Sequence, residues 1–143
     1  MSCVFCDIVA GHSPASVVYA DEEILAFLDV RPVNPGHTLV IPRAHAAGLG
    51  DLDPRLGGRT FQVAQQIAGA LRASDLRCDG VNLFLADGEV AFQEVFHAHL
   101  HVVPRFAGDG LRIAIDWSAT PDRAELDRIA AGLRSATASG PTP

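Results

Sequence analysis

The 143-residue sequence predicts an α+β fold: an antiparallel β-sheet with one long central helix and a C-terminal helix. Three observations lead there. Short β-branched and aromatic runs follow one another in hairpin-like succession, separated by turn residues. A single long stretch then carries apolar residues at helical spacing, and a second such stretch comes near the end. A doubly wound parallel sheet would instead alternate strand and helix throughout.

The elements follow in order. "VFCDIVAG" puts Val4, Phe5, Ile8 and Val9 on one side of a short helix that stops at Gly11. "SVVYAD" and "ILAFLDV" are successive strands around the acidic turn Asp21-Glu22-Glu23. "RPVNPGH" is a turn-rich connection, and "TLVIP" is a β-branched strand closed by Pro42. From Pro54 to about Ser74 the residues Leu56, Phe61, Ala64, Ile67, Ala68 and Leu71 recur with helical spacing, with Asp53 as N-cap and Pro54 at the first helical position. "GVNLFLA" returns to strand, "DGEVAFQEV" is a loop, and "HAHLHVV" is the last strand. Thr120-Pro121 followed by Glu125, Leu126, Ile129 and Leu133 is a capped amphipathic helix. No repeat or linker divides the chain, so one domain is expected over residues 1–136, with 137–143 a disordered tail.

Composition narrows the function classes. A net charge of -6 argues against a large nucleic-acid footprint but leaves room for a single nucleotide, whose phosphate needs only local donors. No apolar run approaches a membrane span, and the N-terminus lacks a signal-peptide layout, so a cytoplasmic protein is expected. Three cysteines do not make a disulfide framework there. Cys3 and Cys6, spaced C-x2-C, suit half of a tetrahedral zinc site, the alternative being a reduced pair without metal. Cys78 stands alone.

The strand "HAHLHVV" holds His97, His99 and His101 at every second position, hence on one face, with Ala98, Leu100 and Val102 turned to the core. One such histidine is ordinarily structural; three in register ask for chemistry. Two chemistries use them. Metal binding is awkward for all three at once, because the first and third lie about 13 Å apart on an extended strand. Phosphoryl or nucleotidyl transfer suits them better: a neutral imidazole attacks phosphorus and its neighbours donate hydrogen bonds or protons.

The run His97-Ala98-His99-Leu100-His101-Val102-Val103 resembles the His-φ-His-φ-His-φ-φ signature of the histidine triad family of nucleotide hydrolases and transferases. "CVFCDIVAG", "AFLDVRPVNPGHTLVIPRAH" and "FQEVFHAHLHVVPR" extend the resemblance to about Trp117. It implies that His99 attacks the α-phosphorus to form a nucleotidyl-histidine, with its other ring nitrogen held by the His97 carbonyl. It also implies that His101 and Gln93 hydrogen-bond the phosphate or leaving group, with His37 beside them. Asp29 would take the ribose hydroxyls, and Phe5, Ile8, Phe27 and Val30 would sandwich the base. Members carrying the N-terminal cysteine pair complete a zinc site with the equivalents of His45 and His97. A homodimer joined through its sheets is implied as well.

The chain departs from the family pattern in two places. Asp87 stands where an asparagine is usual; a carboxylate cannot donate to a phosphate and repels it. Phe92 replaces a small glycine before Gln93, and either narrows the leaving-group side or packs outward. The leading expectation is cleavage of a purine nucleotide, either a dinucleoside polyphosphate or a nucleoside phosphoramidate. Asp87 motivates an alternative, a nucleotide-binding regulatory protein with weak or no catalysis. A hydrolase using the histidines as metal ligands is the third possibility.

Overall fold

The computed structural model describes residues 3–140. They cluster into two compact units, Met1–Leu111 and Arg112–Pro143, and the histidines all lie in the first. In that unit helix α1 (Val4–Val9) precedes strands β1 (Val17–Ala20), β2 (Ile24–Leu28) and β3 (Thr38–Pro42). Helix α2 (Pro54–Ala73), β4 (Gly80–Leu85) and β5 (Leu100–Arg105) follow. The five strands form one antiparallel sheet in the order β1-β2-β3-β5-β4.

The sheet has two unlike faces because side chains alternate along each strand. Ile24, Ala26, Val40, Leu100 and Val102 face α2 and pack with Val63, Ala64, Ile67 and Leu71. Leu25, Phe27, Leu39 and Ile41 occupy the other face and pack with Phe5 of α1. Helix α2 is capped as expected, the Asp53 carboxylate accepting from the Arg55 amide at 2.8 Å. Its buried stripe is Thr60, Val63, Ala64, Ile67 and Leu71. The sequence expectation put Phe61 in that stripe and left out Val63. At about 100° per residue Phe61 is turned well away from Thr60, and it is 50% exposed while Val63 is fully buried.

The connection from β2 to β3 needs its glycine. Gly36 has φ of +96°, and a Cβ there would sit 2.8 Å from side-chain carbons of both Leu71 and Leu76. That tight turn delivers His37 to the start of β3.

The second unit contains helix α3, Arg123–Ala138. Its cap is Asp122, whose carboxylate accepts from the Glu125 amide at 2.8 Å, rather than the Thr120-Pro121 pair expected from sequence. The helix runs on to Ala138, so residues 137 and 138, expected in a disordered tail, are helical; residues 141–143 lie outside those described. Among the described residues no helix is long and apolar enough to cross a membrane.

Candidate active site

The histidine run is more finely divided than alternation alone predicts. Ladder pairing of β5 starts only at Leu100, so His97 and His99 precede the strand. Leu100 and Val102 pack toward α2 while His99 and His101 face the other way, but burial does not alternate, since His97 and His99 are as buried as Ala98. His97 is tied to the chain after β3 instead, through the Ala98 amide, which donates to the Ala46 carbonyl at 2.7 Å.

Each triad imidazole has its tautomer set by a main-chain group. His97 Nε2 lies 2.7 Å from the Pro42 carbonyl, which can only accept, so its proton is there and Nδ1 is bare. His99 Nδ1 lies 2.7 Å from the His97 carbonyl, so that nitrogen carries the proton and Nε2 keeps its lone pair. This is the arrangement expected for a nucleophile. The third case takes two steps. The Val33 amide donates to His37 Nδ1 at 3.1 Å, which puts the His37 proton on Nε2. His37 Nε2 then donates to His101 Nδ1 at 2.9 Å, leaving the His101 proton on Nε2. The triad segment thus holds an acceptor nitrogen at His99 and a donor at His101, with ring centroids 4.8 Å apart.

His99 and His101 line a cavity of about 910 Å³ on the face of the sheet opposite α2. The expected base-binding residues Phe5, Ile8, Phe27 and Val30 line it too, as do Asp29 and His37. Phe5 meets the rings of Phe27 and His99 edge to face, at 5.4 and 5.2 Å. Asp29 does two things. One oxygen accepts from the Arg31 amide at 2.8 Å and caps the turn, while the other lies 3.6 Å from His37 Nε2. At the rim Arg31 and Glu94 pair at 2.7 Å, both largely exposed, a contact worth little by itself.

Gln93 departs from expectation. It is buried, and both Nε2 hydrogens are taken, by the Ala47 carbonyl at 2.6 Å and the Val95 carbonyl at 3.2 Å. Its Oε1 accepts from the Gly88 amide at 2.8 Å. With its amide committed to closing the 88–95 loop, it has no donor left for a phosphate. Asp87 also turns away from the cavity: its carboxylate accepts from the Leu49 amide at 3.0 Å and sits against Gly48, where a Cβ would collide with it. The feature that motivates a binding-only protein is therefore a brace between two loops.

His101 is held neutral. Burial, with the neighbouring His99 and His37 adding to it and Asp29 opposing, lowers its pKa from the ordinary 6.5 to about 4. Between those values the unfolded chain binds a proton that the folded chain refuses, so stability should rise with pH across that window and level off above it. Urea unfolding should give a smaller free energy at about pH 4.5 than at about pH 7, and a smaller difference in His101→Asn. An identical pH dependence in the two proteins would contradict this reading.

Two groups of side chains have the makings of a cation site. Asp29, His37 and His101 offer ligand atoms close together. The Val33 amide nonetheless puts the His37 proton on Nε2, the atom a cation would need. That proton count weighs against the metal-dependent reading of the histidines. Cys3, Cys6, His45 and His97 are a different case. Cys3 and Cys6 are three residues apart, at the cap and in the first turn of α1, and so converge on one side. His97 Nδ1 is 3.6 Å from both sulfurs, and His45 Nδ1 is 3.4 Å from Cys6. A tetrahedral centre with Zn–S of about 2.3 Å and Zn–N of about 2.0 Å puts adjacent S and N about 3.5 Å apart. The donor set and its spacing fit zinc. Desolvation and the adjacent Cys3 push the Cys6 thiol up, a repulsion that a divalent cation would reverse.

Sequence reasoning missed Val33 and Pro42, which act through main-chain atoms and leave no residue-type signal. It also missed Phe84, a cavity-lining residue. Its only signal is alternation within "GVNLFLA", which places Phe84 opposite in sense to Leu83 and Leu85.

Known proteins resemble this chain in sequence and in fold. The family model described as HIT domain matches residues 10–108. An uncharacterized HIT-like protein of Mycobacterium tuberculosis is 44% identical over 140 residues, covering 96% of this chain and 94% of that protein. Protein hit of Bacillus subtilis is 43% identical over 110 residues, 76% of this chain and 75% of the relative. Among solved structures, a Zn-bound histidine triad family protein from Mycobacterium smegmatis is 48% identical, with a TM-score of 0.75 over 95% of this chain and 98% of that one. A histidine triad nucleotide-binding protein from Candida albicans is 26% identical and superposes with a TM-score of 0.84 over 96% and 98%.

Proposed function

Because the chain belongs to the HIT domain family, we propose that it is a nucleotide hydrolase or transferase acting at the α-phosphate of a purine nucleotide through a nucleotidyl-His99 intermediate. The observation that carries this reading is the bare Nε2 of His99, its partner nitrogen held by the His97 carbonyl, on the wall of the cavity. In the first step Nε2 forms a bond to phosphorus, and the bond to the leaving group breaks with its electron pair. The charge that then develops on the ring is stabilised through Nδ1–H by the His97 carbonyl. His101 Nε2–H hydrogen-bonds the phosphoryl oxygens as a neutral donor. In the second step water forms the new P–O bond, the electron pair returns to Nε2, and a proton passes to solvent. The base would lie against Phe5, Ile8, Phe27 and Val30, with Asp29 at the ribose.

Zinc at Cys3, Cys6, His45 and His97 would supply folding energy and tie α1 to the triad segment. We further read the protein as a homodimer; the sheet order leaves β1 and β4 as the edge strands at which a second sheet would join. A cytoplasmic location is supported by three cysteines that are all free.

The test is to trap the intermediate. The enzyme is mixed with a dinucleoside polyphosphate radiolabelled at the α-phosphate, quenched in denaturing base and digested. The label should sit on the peptide containing His99, and on His99 within it. Label on another histidine, or turnover without any adduct, would overturn the covalent mechanism.

A further inference from the structure

Among the described residues Phe92 alone combines a side chain with a positive φ, at +69°. For a bulky residue this region is a strained outlier. The ring does not offset that strain by burial, since it is 90% exposed. A glycine would avoid both the strain and the exposed apolar surface. The loop nevertheless holds this conformation firmly. The Phe92 amide donates to the Glu89 carbonyl at 2.9 Å, and the next residue is the buried Gln93 with its fully used amide. Phe92 lines the cavity that contains His99 and His101.

Sheet register shows where Phe84, a second phenylalanine lining that cavity, lies. Phe27 of β2 pairs with Leu39, Leu39 with His101, and His101 with Phe84 of β4. Directly paired residues share a face. The sheet therefore carries a row of Phe27, Leu39, His101 and Phe84 across four strands. Three inter-strand steps of about 4.8 Å place the two phenylalanines about 14 Å apart, with the histidine between them. Phe27, with Phe5 against it, belongs to the base side. Phe84 is partly exposed into the cavity on the other side of His101. The cavity volume of about 910 Å³ falls near the top of the roughly 300–1,000 Å³ range for small-molecule sites, as a ligand longer than one nucleotide would require.

From this geometry we infer that Phe84 and Phe92 form a second aromatic subsite that stacks a planar leaving group, the second nucleobase of a dinucleoside polyphosphate. The inference rests on the α-phosphate chemistry proposed above and names its substrate class. A polyphosphate leaving group also suits a donor that stays neutral, because it departs as a stable anion without needing a proton.

Phe92→Gly is the informative variant, since glycine adopts the same φ without strain and keeps the loop. The readout is the ratio of kcat/KM for a dinucleoside tetraphosphate to that for the unsubstituted adenosine phosphoramidate. Base–aromatic stacking of ordinary strength predicts a fall in that ratio of about ten-fold, mostly through a higher KM for the dinucleotide. Phe92→Tyr should hold the wild-type ratio and Phe92→Leu should not, because planarity is what the subsite supplies. An unaltered ratio in Phe92→Gly overturns the subsite. If the wild-type enzyme cleaves neither substrate, the catalytic reading falls by itself. The subsite is then decided by calorimetric binding of a methylene-bridged dinucleoside polyphosphate relative to the nucleoside monophosphate. Selective weakening of the dinucleotide in Phe92→Gly supports it, and equal binding in both proteins overturns it.

Discussion

His99→Asn should lower kcat/KM on every nucleotide substrate by about a thousand-fold or more, the scale seen when a covalent nucleophile is removed. The His97 carbonyl lies 2.7 Å from His99 Nδ1, and an asparagine amide can donate to the same oxygen, so the segment keeps its conformation. What disappears is the lone pair on Nε2. Because that atom acts only at the reacting phosphorus, kcat and kcat/KM should fall together while nucleotide binding by calorimetry changes little. His101 and the aromatic walls remain, so a residual rate above that in water is expected. Turnover within about ten-fold of wild type in His99→Asn would sink the covalent mechanism, because no positioning role would leave that residue so dispensable.

Cys6→Ala should have the second largest effect. Loss of one ligand from a set of four should reduce bound zinc from about one per chain to near zero. It should also lower the melting temperature by roughly 10 °C, corresponding to about 3 kcal/mol in a domain of this size. The effect should reach the nucleotide. Helix α1 carries Phe5, whose ring touches Phe27, His97 and His99 edge to face, so loosening α1 opens the base side of the cavity and raises KM. Cys78 is the control: it lies outside the cluster, and Cys78→Ala should keep the full zinc content. Elemental analysis with thermal melts before and after chelation decides the matter. A Cys6→Ala protein with wild-type zinc and melting temperature would refute the structural role.

Strands and histidines were readable from local sequence because their signals are local. Period-two alternation separates His97, His99 and His101 from Ala98, Leu100 and Val102, and the N-cap chemistry of Asp53-Pro54 marks the start of α2. What stayed hidden depends on partners far along the chain. Gln93 resembles a phosphate donor until the loop closes and hands its amide to Ala47. Asp87 resembles an anion repeller until it meets the Leu49 amide, 38 residues away. The side of the cavity that Phe84 joins follows from its pairing with His101, which no pattern within β4 reports. Phe61 and Val63 differ by two positions, and only the orientation of α2 on the sheet decides which is covered.

Main-chain control of the imidazole protons has a consequence for how this protein fails. The carbonyls of Pro42 and His97 and the amide of Val33 are present whatever side chains those positions carry, unless proline removes the amide at 33. Drift in the surrounding side chains can reshape what the cavity accepts without disturbing which nitrogen attacks. The same groups are in place only while β3, the turn before it and the triad segment keep their relative positions. On heating, activity and tertiary structure should therefore be lost in one transition, with no population that is folded yet carries its protons on the wrong nitrogens.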